Sequence, residues 1–111
     1  MANLRRGEIA FEIDGRMRVL CLTLGALAEL EHALKADDLA DLGTRFSKGR
    51  LAARDLMAII GAGLRGAGET ISDAEVGALH LEGGVSQWAL IAAELLKASF
   101  GQGEADLPNP R

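Results

Sequence analysis

The chain has 111 residues, which suits one domain and leaves no room for a second. It is 49% apolar and 25% charged, proportions that let a core form without disulfides or metal. A formal charge of −4 argues against nucleic acid as the main partner, because phosphate binding calls for a basic excess.

Residues 8–13 alternate Ile9, Phe11 and Ile13 with Glu8, Ala10 and Glu12, the period of a half-buried strand. Asp14-Gly15 marks a hairpin, and residues 16–22 form the return strand. A two-residue loop would pair Phe11 with Arg18, placing arginines on the apolar face. A three-residue loop, Ile13-Asp14-Gly15, instead pairs Phe11 with Met17 and Ile9 with Val19, and sets Glu12 opposite Arg16. Burial favours the three-residue loop, with Met17, Val19 and Cys21 facing the core and Gly15 in the left-handed position of a bulge. A lone hairpin is marginal in water, so it must pack on helices, a third strand or another chain.

Thr23 is the expected N-cap of a first helix over about 24–36, with Leu27, Leu30 and Leu34 on one face and Leu24 at its edge. Asp37 or Asp38 caps a short second helix, about 38–47, carrying Leu39, Leu42 and Phe46. A third helix over about 52–65 has a core stripe of Leu56, Ile59, Ile60 and Leu64. Ser72-Asp73-Ala74-Glu75 fits a capping box, with Ile71 and Val76 at the staple positions, and starts a fourth helix over about 73–79. The last helix, about 85–100, lines up Trp88, Ala92, Leu95, Leu96 and Ser99 and ends at Gly101. The expected fold is α+β and mostly helical: an N-terminal antiparallel β-hairpin followed by four or five short helices. The expected domain is 1–101, with 1–6 a flexible N-terminus and 102–111, rich in Gly, Pro and charge, a disordered C-terminal tail.

No candidate catalytic, cofactor or metal residue emerges. Gly61-Ala62-Gly63-Leu64-Arg65-Gly66 matches a dinucleotide fingerprint by letter, but it follows a helix and no parallel strand succeeds it, so helix-end glycines are the simpler reading. Gly66 to Thr70 supplies one carboxylate, too few for a calcium loop. Cys21, His32 and His80 are the only Cys and His residues, fewer than a structural zinc site takes. Cys21 reads as a buried inert thiol, and neither histidine has an adjacent Ser or Cys to form a dyad. Asp37, Asp38 and Asp41 read as caps and surface. Arg45, Lys48, Arg50 and Arg54 form a short basic stretch that reads as a solvated face, and the 73–79 helix lacks the Arg or Lys of a DNA-reading helix. A single cysteine fits a reducing cytoplasm. Met1 to Arg6 has no apolar run behind it, unlike a secretory signal, and no apolar segment reaches the ~20 residues of a membrane span. Protein partners remain, met through a hairpin edge or an apolar helix groove.

The order strand, Asp-Gly turn, strand, then Leu24-Gly25-Ala26-Leu27-Ala28-Glu29-Leu30-Glu31, resembles a small-protein family of bacterial gene transfer agents and related tailed prophages. So do Gly49-Arg50-Leu51, Arg54-Asp55-Leu56, Gly63 to Gly68, Ile71 to Val76 and Phe100-Gly101. The resemblance covers about residues 7–101 and rests on turns and caps, so it carries over no binding residue. The family is labelled as tail tube protein or as tail assembly chaperone. It implies a non-enzymatic protein of phage-like tail morphogenesis, in the bacterial cytoplasm or in the particle. The main expectation is a tail assembly chaperone binding the tape measure protein and working with tail tube subunits, with a homo-oligomer also open. The alternative is a structural tail tube or head–tail component. A small DNA-binding regulator ranks below both because of charge.

Overall fold

The computed structural model describes residues 7–38, 40, 41, 44 and 52–101. Strands β1 (Glu8–Ile13) and β2 (Arg16–Cys21) form a two-stranded antiparallel sheet. Helices α1 (Leu24–Leu34), α2 (Ala53–Gly66), α3 (Asp73–Gly77) and α4 (Gly84–Leu96) follow, and a π-helical turn, Lys97–Gly101, extends α4. The fold is α+β and mostly helical, as expected. The expected second helix, and the terminal segments 1–6 and 102–111, lie largely or wholly outside the described residues. Within the former, Ala40, Asp41 and Thr44 are helical, and Asp38 Oδ1 accepts from the Asp41 amide at 2.9 Å as an N-cap would.

The hairpin register departs from expectation. Ile13 pairs with Arg16, Phe11 with Arg18 and Ile9 with Leu20, so the loop has two residues. Asp14 (φ 53°) and Gly15 (φ 89°) are both left-handed, the signature of a type I′ turn whose twist matches its strands. The face carrying Ile9, Ile13, Leu20 and Leu22 turns inward, whereas Met17 is 63% exposed and Val19 and Cys21 are half-buried. Cys21 is therefore not on the core face. Arg18 is what makes this register affordable. Its stem is buried while its guanidinium donates to the Ile13 carbonyl at 3.1 Å and to Glu69 Oε1 at 2.8 Å. A paired arginine costs less than leaving Leu20 and Leu22 in water, at about 2 kcal/mol each.

The sheet lies on helices. α2 is the central element, packing against β2, α1, α3 and α4, and α4 also touches β1. Leu56, Ile59, Ile60 and Leu64 form the anticipated buried stripe, joined by Ala58 and Ala62. α2 must pass close to other backbone, and glycine permits it. A Cβ at Gly66 would collide with the Cys21 carbonyl, and one at Gly63 would meet Leu95 Cδ2 at 2.6 Å.

Local signals set the helix ends. Thr23 Oγ1 accepts from the Ala26 amide at 3.0 Å. Lys35, at φ 56°, closes α1 where glycine is commoner, with the Ala36 amide reaching back to the Glu31 carbonyl at 2.9 Å. Ser72 Oγ accepts from the Glu75 amide (3.1 Å) and Glu75 Oε1 from the Ser72 amide (2.8 Å), completing the capping box. α3 is shorter than expected. The Ala78 and Leu79 amides bond three residues back, to Glu75 and Val76, so the last turn tightens and stops.

Candidate functional site

The residues weighed for chemistry are scattered over separate elements. Cys21 ends β2, His32 is exposed on α1, and His80 is exposed after α3. Gly61 to Gly66 lies inside α2, so the fingerprint glycines sit within a helix rather than opening one. Among the described residues no group of three or more His, Cys, Asp or Glu could hold a metal ion, and no helix is long and apolar enough to cross a membrane. Asp41 Oδ2 accepts from the Asp37 amide at 3.1 Å, which puts these acids in a local cap. Of the basic stretch, Arg54 is exposed in the first turn of α2, while Arg45, Lys48 and Arg50 lie outside the described residues.

Two arginine centres hold the loop between α2 and α3. Glu69 Oε1 receives Arg18 at 2.8 Å and Arg16 at 3.2 Å, joining the hairpin to the loop. Arg65 donates to the Ile71 carbonyl (2.8 Å), to Asp73 Oδ1 (3.0 Å) and to Glu29 Oε2 (2.9 Å), so one side chain ties α2 to α1 and α3. Partial burial acts to lower the pKa of Arg65. The hydrogen bond to Asp73, then the charges of Glu29 and Asp73, and last the hydrogen bond to Glu29, outweigh it and raise the value overall. The hairpin tip is fixed separately, by the Asp14 amide donating to the His80 carbonyl at 2.9 Å.

Beside this scaffold is an apolar slot of about 180 Å³ between α2, α3 and the start of α4. Leu56, Met57, Ile60, Val76, Val85 and Trp88 line it, with Ala53 and Gly77. Val76 is buried, Met57 and Trp88 are half-buried, and Val85 is 73% exposed. Every lining side chain is apolar, so the slot offers contact area and no acid, base or nucleophile. Sequence periodicity places Leu56 and Ile60 in the core, and the capping box makes Val76 a staple residue. It misses the slot, because Val85 and Trp88 come to α2 only through the tertiary crossing of α4.

The arrangement suits contact with another macromolecule, and the comparisons with known proteins agree. No curated protein and no solved structure matches the chain. A family model described as "Phage tail tube protein, GTA-gp10" matches residues 6–102. The match bears out the resemblance read from turns and caps, and its description fits the tail tube alternative better than the chaperone expectation. By a match that spans nearly its whole length, this chain belongs to the phage tail tube protein, GTA-gp10, family.

Proposed function

We propose that the chain is a structural component of a phage-like tail tube, working through contacts with copies of itself and with other tail proteins rather than by catalysis. The observation that carries this reading is the family match over residues 6–102, whose description names a tail tube protein. Met17, Leu24, Val85 and Leu90 are exposed apolar side chains open to contact with neighbours.

One observation favours a second reading, the tail assembly chaperone. A tube wall is ordinarily closed by a large β-sheet, and the sheet here has two strands. On that reading the apolar slot and its surroundings cover the helical tape measure protein before tube subunits enclose it, a helix-in-groove contact that limits aggregation.

Co-expression with the tape measure protein encoded nearby, followed by size-exclusion light scattering, separates the two. Rings or tubes formed by the chain alone support the structural component. A soluble complex holding several copies per tape measure chain, with no self-assembly, supports the chaperone and overturns the first reading.

A further inference from the structure

We propose that residues 70–82 form a flap, hinged at Thr70 and at Gly83-Gly84, that lifts off α2 as one unit while the rest stays folded, and so bares Leu56, Met57 and Ile60. The inference goes beyond the tail reading and holds whether the chain is tube component or chaperone.

Burial supplies the first observation. Within 70–82 only Val76 is buried; Ile71, Asp73, Leu79 and Leu81 are half-buried and the other residues are exposed. The one helix of the segment, α3, has five residues and packs on α2. Beside Val76 the slot of about 180 Å³ is unfilled, so α3 forgoes part of the dispersion contact that a closed core would give it. Few buried apolar contacts and exposed backbone hydrogen bonds put a segment at the low end of local stability.

The polar ties set where the flap begins, where it ends and how it is fastened. On one side Glu69 belongs to the scaffold: Arg18 and Arg16 hold its carboxylate, and its amide donates to the Leu64 carbonyl at 3.0 Å. On the other side Gly83 and Gly84, at φ 97° and 65°, join the flap to α4 in a backbone state that glycine enters freely. Between these limits, among the described residues, two clasps cross to the scaffold. Arg65 donates to the Ile71 carbonyl and to Asp73 Oδ1, and the Asp14 amide, at the hairpin tip, donates to the His80 carbonyl. A further bond, from the Gly84 amide to the Leu81 carbonyl at 3.3 Å, lies within the hinge turn itself. The clasps hold opposite ends of the flap with Val76 between them, so lifting the segment breaks all three contacts together. A five-residue helix has no stability of its own once it leaves α2, and its internal bonds go in the same step.

Amide exchange of the full chain, followed by NMR in rising sub-denaturing urea, tests this. The Val76, Ala78 and Leu79 amides, bonded to the Ser72, Glu75 and Val76 carbonyls, should exchange through one opening. Its urea slope should be well below that of the Ile59 and Ile60 amides in α2. The Asp14 amide should follow the same opening, although it belongs to the hairpin. Arg65→Met, which removes the first clasp and keeps the stem, should speed exchange at all four amides by one common factor, about tenfold. Asp73→Asn, which removes only the charge, should do so by about threefold, and decides the matter if Arg65→Met folds poorly. An Asp14 amide that ignores both variants and tracks the hairpin ladder overturns the flap. So do α3 amides that exchange only with the slope of α2, since the segment then opens solely when the whole domain unfolds.

Discussion

Removing Glu69 should damage the fold more than removing the arginine it binds. The Arg18 side chain is 9% exposed, and its charge is balanced by Glu69 at 2.8 Å. Glu69→Ala leaves that guanidinium at the core's edge with only the Ile13 carbonyl. Losing one member of a fully buried ion pair costs about 3–5 kcal/mol. Glu69 is 22% exposed, so water can partly replace it and about 2 kcal/mol is expected. Arg18→Met keeps the buried stem as an apolar chain and removes the charge. Glu69 retains Arg16 at 3.2 Å, and the expected cost is below about 1 kcal/mol. For a domain of this size the alanine variant should melt about 10 °C lower, and the methionine variant within about 5 °C of the parent. Urea unfolding followed by circular dichroism gives both values, with unchanged slopes if the unfolded state is unaltered. Arg18→Met proving the more damaging variant would refute the argument that an unpaired buried charge governs this site.

Other expectations are local. Ser72→Ala removes one half of the capping box and should cost about 1 kcal/mol by thermal denaturation, with loss of amide exchange protection at Glu75. Gly66→Ala drives a methyl into the Cys21 carbonyl and should cost about 2–3 kcal/mol, whereas Gly68→Ala, which meets no neighbouring atom, should cost about 1 kcal/mol from the strain of its positive φ of 107° alone. In the two-residue register Glu12 and Met17 form a non-hydrogen-bonded pair, so a strong Hα–Hα contact between them is expected by NMR. That contact between Phe11 and Met17 instead would restore the three-residue loop.

The legible parts of this fold were those decided within a few residues. Asp14-Gly15, Thr23 and Ser72 to Glu75 each act on neighbours at most three or four positions away: the chain reverses at Asp14-Gly15, though through two residues rather than the expected three, and both caps stand where the letters place them. The register failed because it turned on Arg18, whose partner Glu69 lies 51 residues along the chain. Without that partner, an arginine on the core face looks too costly, and Met17, Val19 and Cys21 look like the inward set. The glycines of α2 were legible as helix residues, but their reason was not. Gly63 is small because Leu20 and Leu95 arrive there from β2 and α4. The Arg65 hub and the apolar slot likewise join elements far apart in sequence.

Protein composition of purified particles tests the central claim most directly. Particles carrying a tagged copy of this chain should retain it at many copies each, in fixed ratio to the other tail proteins, and labelling should place it along the tail. Complete particles that lack the chain, though they fail to form without its gene, would contradict a structural tube role and leave the chaperone reading standing.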